Sequence, residues 1–450
     1  MGRWGTAVKS VIRRVAGRIH HRRAHRRRLA GNLPGAVSSY QTACAWDDGQ
    51  PLWWVDLAEA QIRAGDPAGA VHAYEAAIAL AGTQPRWHVE LAKLRRKTGD
   101  PAGAVHAYEA AIALDDRKPR WHEELGLVRE LSGDAEGGVR AYKSALARDQ
   151  SANELDYKLL SLNAWRFPPR RLVARFISAN LEEIREHSRE IAERALPADP
   201  RVYLFWAQGI EAAPPIVKLC HRQLMATHGV AEVVVLDREG ASDLIHLSPE
   251  VLRKTEGNHT KFSDLLRLAV LARHGGIWVD ATCLVRTRVL DLLSTLLRNS
   301  FFAFQYERSR ISTWFLASHP GGYIPSMWLA AQCRYWEGWD GPRDYYFPHH
   351  IFQSLYCLDR RFQGEWDASF KLSAYPPHAL KRVQLEPCSP DRFQVLLDHS
   401  FVHKLTYKYR EENVRADTLL AHLLHGSGVA PRQSSEWRVV ADEPTRITAD

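Results

Sequence analysis

Asp264, Arg267 and Asp280 fall within one stretch, K-F-S-D-L-L-R-L-A-V-L-A-R-H-G-G-I-W-V-D-A-T, residues 261–282. On a helix, a spacing of three puts the acid and the guanidinium on one face, where together they can grip a polar ligand. Asp280 follows the short apolar run I-W-V, and α/β sheets gather ligand-binding groups at the carboxyl ends of their strands. A carboxylate placed there can hold a hard cation. Mn²⁺ or Mg²⁺ would bridge the phosphates of a nucleoside diphosphate and offset the charge that develops as it departs. The plainer uses of the same residues are a surface ion pair for Asp264 and Arg267 and a turn for Asp280.

His349 and His350 stand in an aromatic setting, Y-Y-F-P-H-H-I-F. One packed and one exposed ring is the bland reading, and a contact to acceptor or leaving group, assigned to His350, is the functional one. Neither G-x-S-x-G nor G-x-x-x-x-G-K-[ST] occurs, which removes the nucleophile-elbow hydrolases and the phosphate-loop enzymes. The six cysteines, Cys44, Cys220, Cys283, Cys333, Cys357 and Cys388, show no C-x-x-C spacing, so reduced thiols are expected rather than a zinc ribbon or a disulfide framework.

The elements that must position these residues follow from hydrophobic patterning. Short apolar runs V-Y-L-F-W-A-Q and E-V-V-V-L-D flank the helical I-V-K-L-C-H-R-Q-L-M, predicting strand, helix, strand from Val202. Next comes a helix capped by Ser263, with Leu265, Leu266, Leu268, Ala269 and Leu271 on its buried side, closed by Gly275 and Gly276 and followed by a strand ending at Asp280.

Upstream the chain repeats itself. G-D-P-A-G-A-V-H-A-Y-E-A-A-I-A-L occupies residues 65–80 and, letter for letter, 99–114, a period of 34. Gly31, Tyr40, Gly133 and Tyr142 keep that register, as do Trp53, Trp87 and Trp121, so four copies are visible. This region resembles tetratricopeptide repeats, helix pairs that stack into an array with a protein-binding face. Ala70, Tyr74 and Ile78 form the face each second helix must bury. A spacer or dimerisation arm is the alternative role.

The formal charge of +8 is uneven: residues 1–30 carry nine Arg and Lys9 without an acid, leaving about −2 for the rest. Such an arm suits anionic lipid headgroups, at about 1 kcal/mol per basic residue. Nucleic acid is not the expected partner, since no helix-turn-helix, zinc-finger or RNP pattern accompanies the arm. No run approaches the length of a membrane span and no signal-peptide core is present, so a cytoplasmic protein, peripheral at most to the inner face of the membrane, is expected. The expected organisation is a basic arm over 1–23, repeats over 24–150, a helical linker over 151–200, an α/β domain over 201–425 and a flexible polar tail over 426–450.

The stretch S-D-L-L-R-L-A-V-L-A-R-H-G-G-I-W-V-D-A-T resembles the signature of the capsular polysaccharide synthesis glycosyltransferases, relatives of the bacterial sugar-binding DXD-motif transferases. F-W-A-Q at 205–208, P-P-I-V-K-L-C at 214–220, S-T-W-F-L-A-S at 312–318, H-H-I-F-Q-S-L at 349–355 and V-H-K-L-T-Y-K at 402–408 fit in the same order, so the likeness spans roughly 202–410. The resemblance implies a GT-A-like, Rossmann-type fold, a nucleotide-sugar donor, a divalent cation and retention at the anomeric carbon. It also implies that Asp264 and Arg267 bind the donor sugar and that Asp280 is the first acid of the DXD, with His403 a second metal or phosphate contact. Trp206 would take the nucleobase, with Gln208, His350 and Lys404 completing the substrate set. Ala281 and Thr282 follow Asp280, so the second acid of a strict DXD is missing. That gap keeps open a second function, a repeat-based scaffold whose C-terminal domain binds a nucleotide sugar without turning it over.

Overall fold

The computed structural model describes residues 2–196, 199–307, 309–339, 344–425 and 429–437. The chain divides into two compact units, Met1–Pro168 and Pro169–Asp450.

The first unit is helical. Helices Leu33–Trp46, Pro51–Ala64, Pro67–Ala81, Pro85–Lys97, Pro101–Leu114, Pro119–Leu131 and Ala135–Arg148 follow one another through short turns. The 34-residue period is visible in the turns themselves. Gly31, Gly65, Gly99 and Gly133 all adopt positive φ, between 75° and 92°, where a Cβ would strain the backbone. The next residue, Asn32, Asp66, Asp100 or Asp134, caps the following helix by accepting from a backbone N–H three residues on. Tyr40, Tyr74, Tyr108 and Tyr142 are buried at the same interval, with Ala36, Ala70 and Ala104 letting neighbouring helices approach. Ile78 packs against this core and His72 is exposed, as the helical spacing requires. Adjacent repeats are also tied by equivalent partly exposed ion pairs, Arg95 to Glu75 at 2.7 Å and Arg129 to Glu109 at 2.6 Å.

The boundary expected at 23/24 falls inside one continuous helix, Gly2–Leu29. His21 stacks on Trp53 at 5.2 Å and its Nε2 meets Asp56 at 2.7 Å, so the end of the basic segment belongs to the array. The expected linker is three helices, Glu154–Leu162, Phe167–Ala179 and Leu181–Glu193, with the division between units at Pro168/Pro169 within it.

The second unit contains, among its described residues, strands β1 (Val202–Phe205), β2 (Val233–Leu236), β3 (Gly276–Val279), β4 (Cys283–Val285), β5 (Phe301–Glu307), β6 (Arg310–Ser318) and β7 (Val402–Lys404). Five of them form a mixed sheet in the order β2-β1-β3-β6-β5. β1 is parallel to both β2 and β3, whereas β6 runs antiparallel to β3 and β5. From β1 the chain passes through the helix Pro215–His228 to β2 on one side, then returns to β3 on the other. This reversal opens a crevice at the carboxyl ends of β1 and β3, where open α/β sheets take their ligands. β4 and β7 form a separate antiparallel ladder, with Cys283 opposite Lys404 and Leu284 opposite His403.

The informative stretch folds as helix His259–His274, Gly275 and β3. Its cap differs from expectation: Asn258, not Ser263, accepts from the Lys261 N–H, because the helix begins four residues before Ser263. Gly276 has φ +87° and a Cβ there would lie 2.4 Å from the Arg201 carbonyl oxygen, so β3 can reach β1 only through glycine. Gly276→Ala is therefore expected to destabilise more than Gly65→Ala, whose Cβ would meet nothing and whose cost is about 1–2 kcal/mol of backbone strain. Denaturant midpoints measure both.

The tail expected to be flexible is docked where it is described. Val429 belongs to the domain's apolar core and Trp437 packs against it, the Val429 carbonyl accepts from Gln223 Nε2 at 2.8 Å, and the Arg432 N–H donates to the Arg286 carbonyl at 2.8 Å. Its polar composition hid those two apolar anchors; residues 426–428 and 438–450 lie outside the described residues.

Candidate active site at the strand ends

A cavity of about 800 Å³ opens at the crevice between β1 and β3. β1 continues into it as Phe205, Trp206, Ala207 and Gln208, and β3 as Asp280, Ala281 and Thr282. Asn258, His259, Thr260, Ser263 and Arg267 line it from the first turns of the helix His259–His274, whose N-terminal end carries partial positive charge. β7 and the residues after it close the far side with Lys404 through Lys408.

Running from behind the cavity lining into it, four charges alternate. Asp264 Oδ1 lies 3.0 Å from Arg267 Nη1, Arg267 Nη2 lies 3.5 Å from Asp280 Oδ1, and Lys404 Nζ lies 2.8 Å from Asp280 Oδ2. Trp278 Nε1 donates to Asp280 Oδ1 at 2.9 Å, and Lys404 Nζ reaches Thr282 Oγ1 at 2.7 Å. Burial pushes the Asp280 carboxyl up, but Lys404 and Arg267, with hydrogen bonds from Lys404 and Trp278, outweigh it and hold the group at about 2. Its ion pairs therefore contribute above the ordinary carboxylate pKa and are lost only as pH falls through about 2. For Asp264, burial wins over Arg267 and Lys261 and raises the pKa. Lys404 is raised: burial opposes its charge, and Asp280 restores it.

The structure brings Trp206, Gln208, Arg267, Asp280 and Lys404 into the lining of one cavity. Trp206 meets Tyr407 edge to face at 5.4 Å, giving the cavity an aromatic end. Asp264 is not among the lining residues; nearly closed off from solvent, it holds Arg267 in place.

Two further expected site residues are corrected. His403 is fully buried, and its Nε2 lies 3.0 Å from the Leu397 carbonyl. Successive residues of a strand face opposite sides, so Lys404 at the cavity turns His403 into the core. His350 is also packed, 2% exposed and 3.8 Å from the Asp344 carboxylate, outside the cavity lining. Its neighbour His349 faces the charges: burial first, then Arg267, Lys261 and Arg310, push that ring down to about 4.

The divalent ion implied by the resemblance does not fit this donor set. Both Asp280 oxygens are engaged by donors, Thr282 offers a hydroxyl already meeting Lys404, and His403 faces the core. Among the described residues no group of three or more His, Cys, Asp and Glu side chains is placed to hold a metal ion.

Residues 161–423 match the family model described as "Capsular polysaccharide synthesis protein". The chain belongs to the capsular polysaccharide synthesis family. The family's segment begins within the expected linker, forty residues before the expected domain start at 201, and carries every residue of the cavity wall. No match is found among curated proteins. Among solved structures, the chain is similar to a crystal structure of MamA, at 19% identity over 31% of this chain and 78% of that one, with a TM-score of 0.27. It is also similar to YrrB, described as a TPR protein with an unusual peptide-binding site, at 13% identity over 32% and 72%, with a TM-score of 0.28. At such scores these likenesses carry no weight, and the repeat array rests on its own period, turns and caps. No described helix is long and apolar enough to cross a membrane.

Sequence reasoning missed Lys381, Lys408 and Tyr407 on the cavity wall, and Trp278 as a donor to Asp280. The Y-K of V-H-K-L-T-Y-K was the available signal for two of these. Lys381 had none, since only the packing of its short helix, Ala379–Val383, against β7 brings it near the crevice.

Proposed function

We propose that this member of the capsular polysaccharide synthesis family is a glycosyltransferase that moves a sugar from a nucleoside diphosphate donor to a glycan or protein-linked acceptor, with retention at the anomeric carbon. The observation that carries the reading is the alternating set Asp264, Arg267, Asp280 and Lys404 at the β1/β3 crevice, inside the segment that matches the family. The mixed sheet with its parallel β2-β1-β3 core is read as GT-A-like. Trp206 and Tyr407 offer faces and edges to a nucleobase, Gln208 a polar contact, and Arg267 with Asp280 the polar grip on the donor sugar. Asp264 is a positioning residue acting through Arg267. Holding donor and acceptor in one orientation, in a site whose charges are already ordered, supplies much of the rate enhancement. Thermal-shift measurement across a panel of nucleotide sugars tests the reading: donors sharing one base are expected to raise the melting temperature, and free sugars are not. A panel without any shift contradicts it.

The partners follow from the first unit. The repeat array is read as binding a protein segment, as its likeness to tetratricopeptide repeats implies. Its N-terminal helix is read as resting on an anionic membrane. Val11, Ile12, Val15 and Ile19 are 51–60% exposed and share one helical face, with exposed Arg18 and Arg22 beside them. The protein is expected to float with vesicles containing anionic lipid and not with zwitterionic ones, and Val15→Asp with Ile19→Asp to abolish flotation. Equal flotation with both vesicle types contradicts this placement.

A further inference from the structure

We infer that the charge of the leaving diphosphate is taken by side-chain cations, with Lys404 standing where the motif's divalent ion would stand, so that donor binding needs no metal. This rests on the nucleotide-sugar reading above and departs from what the family resemblance implies about the cofactor.

Lys404 carries the substitution. A DXD ion bridges the substrate phosphates to acids flanking one residue, here positions 280 and 282. The ammonium of Lys404 spans the same two side chains, 2.8 Å from Asp280 Oδ2 and 2.7 Å from Thr282 Oγ1. Position 282 holds no second acid and a lysine stands beside it: Thr282 would bring a dication a neutral hydroxyl without charge, and that hydroxyl is a good neutral partner for an ammonium. A divalent ion entering against Asp280 would have to displace that lysine and would meet Arg267 on the other oxygen.

The rest of the cavity shows the same bias. Its described lining holds Arg267, Lys381, Lys404 and Lys408 against a single carboxylate, Asp280. Lys381 and Lys408 are exposed, and among the described residues neither is within ion-pairing distance of a carboxylate in any salt bridge of the structure. The N-terminal end of the 16-residue helix His259–His274 adds its partial charge to the same cavity. An anion with more than one negative charge matches this surplus, and a diphosphate seated there spans Lys404 and the two exposed lysines. As the bond from the anomeric carbon to the diphosphate oxygen breaks, the electron pair stays on that oxygen, where these cations stabilise it. The acceptor oxygen bonds the same carbon, and its proton passes to the departing diphosphate.

Isothermal titration of the full chain with UDP, GDP, ADP and CDP, in EDTA and then in Mn²⁺, tests the inference. One of these nucleotides is expected to bind in EDTA with an affinity that Mn²⁺ changes by no more than about twofold. Lys381→Ala and Lys408→Ala are each expected to weaken it by about tenfold, equivalent to about 1.4 kcal/mol. Both side chains are exposed, so the variants keep the fold. Binding that requires Mn²⁺, or that is unchanged in both lysine variants, overturns the inference and leaves the donor reading standing. No binding under either condition overturns both.

Discussion

Asp280→Asn is expected to lower sugar transfer and donor hydrolysis by roughly a thousandfold, the scale of losing one preorganised electrostatic group from an active site. Asp280 closes β3 at the crevice and is the common partner of Lys404, Arg267 and Trp278. An amide offers one acceptor where the carboxylate offers two, and no charge. Lys404 then loses its counter-ion and Arg267 loses one of its two carboxylates, so the groups meant to meet donor sugar and diphosphate lose their fixed positions. The repeat unit does not depend on Asp280, so a protein partner captured by the array should be retained. Release of nucleoside diphosphate by purified wild type and variant measures the effect. Equal release from both would sink the site assignment, and release from neither would favour a scaffold whose C-terminal domain only binds.

Arg267→Ala is expected to cost about 3–5 kcal/mol of stability in the sheet domain, because it leaves the Asp264 carboxylate buried without its partner. The Asp264 pKa is already raised by burial despite Arg267 and Lys261. Without the guanidinium it rises further, so the folded state holds a proton that the unfolded chain releases. A raised carboxyl pKa weakens the fold as pH rises. The loss should therefore be smaller at pH 5 than at pH 8 and should shrink in the double variant Asp264→Asn, Arg267→Ala. Denaturant unfolding at the two pH values measures it. A loss independent of pH, unrelieved by Asp264→Asn, would show that Arg267 acts through something other than this pair.

Much of this architecture is written locally in the sequence. The array is legible because its corners recur every 34 residues with the same physical demand, a glycine in the left-handed region followed by a side chain that caps the next helix. Asp264, Arg267 and Asp280 are legible because one helix, one glycine stop and one strand carry all three. The other wall of the cavity depends on long-range pairing. The side of β7 that faces the cavity is fixed by the pairing of Cys283 with Lys404, and a three-residue strand shows no alternation from which to read it. His403 as a metal contact and Lys404 as a substrate contact are thus equally credible from the sequence, and only register separates them. The two histidines at 349 and 350 pose the same question on a helix, where neighbours point about 100° apart and packing decides which meets the solvent side. Lys381 and Lys408 contribute through their position beside the crevice, which no local spacing encodes.

The central claim, turnover of a nucleoside diphosphate sugar at the β1/β3 crevice, is tested most directly by incubating the purified chain with a panel of such donors and reading released nucleoside diphosphate. The account predicts release from one donor, in EDTA as in Mn²⁺, and its loss in Asp280→Asn. Silence across the panel in both conditions, or release that Asp280→Asn leaves unchanged, would contradict it.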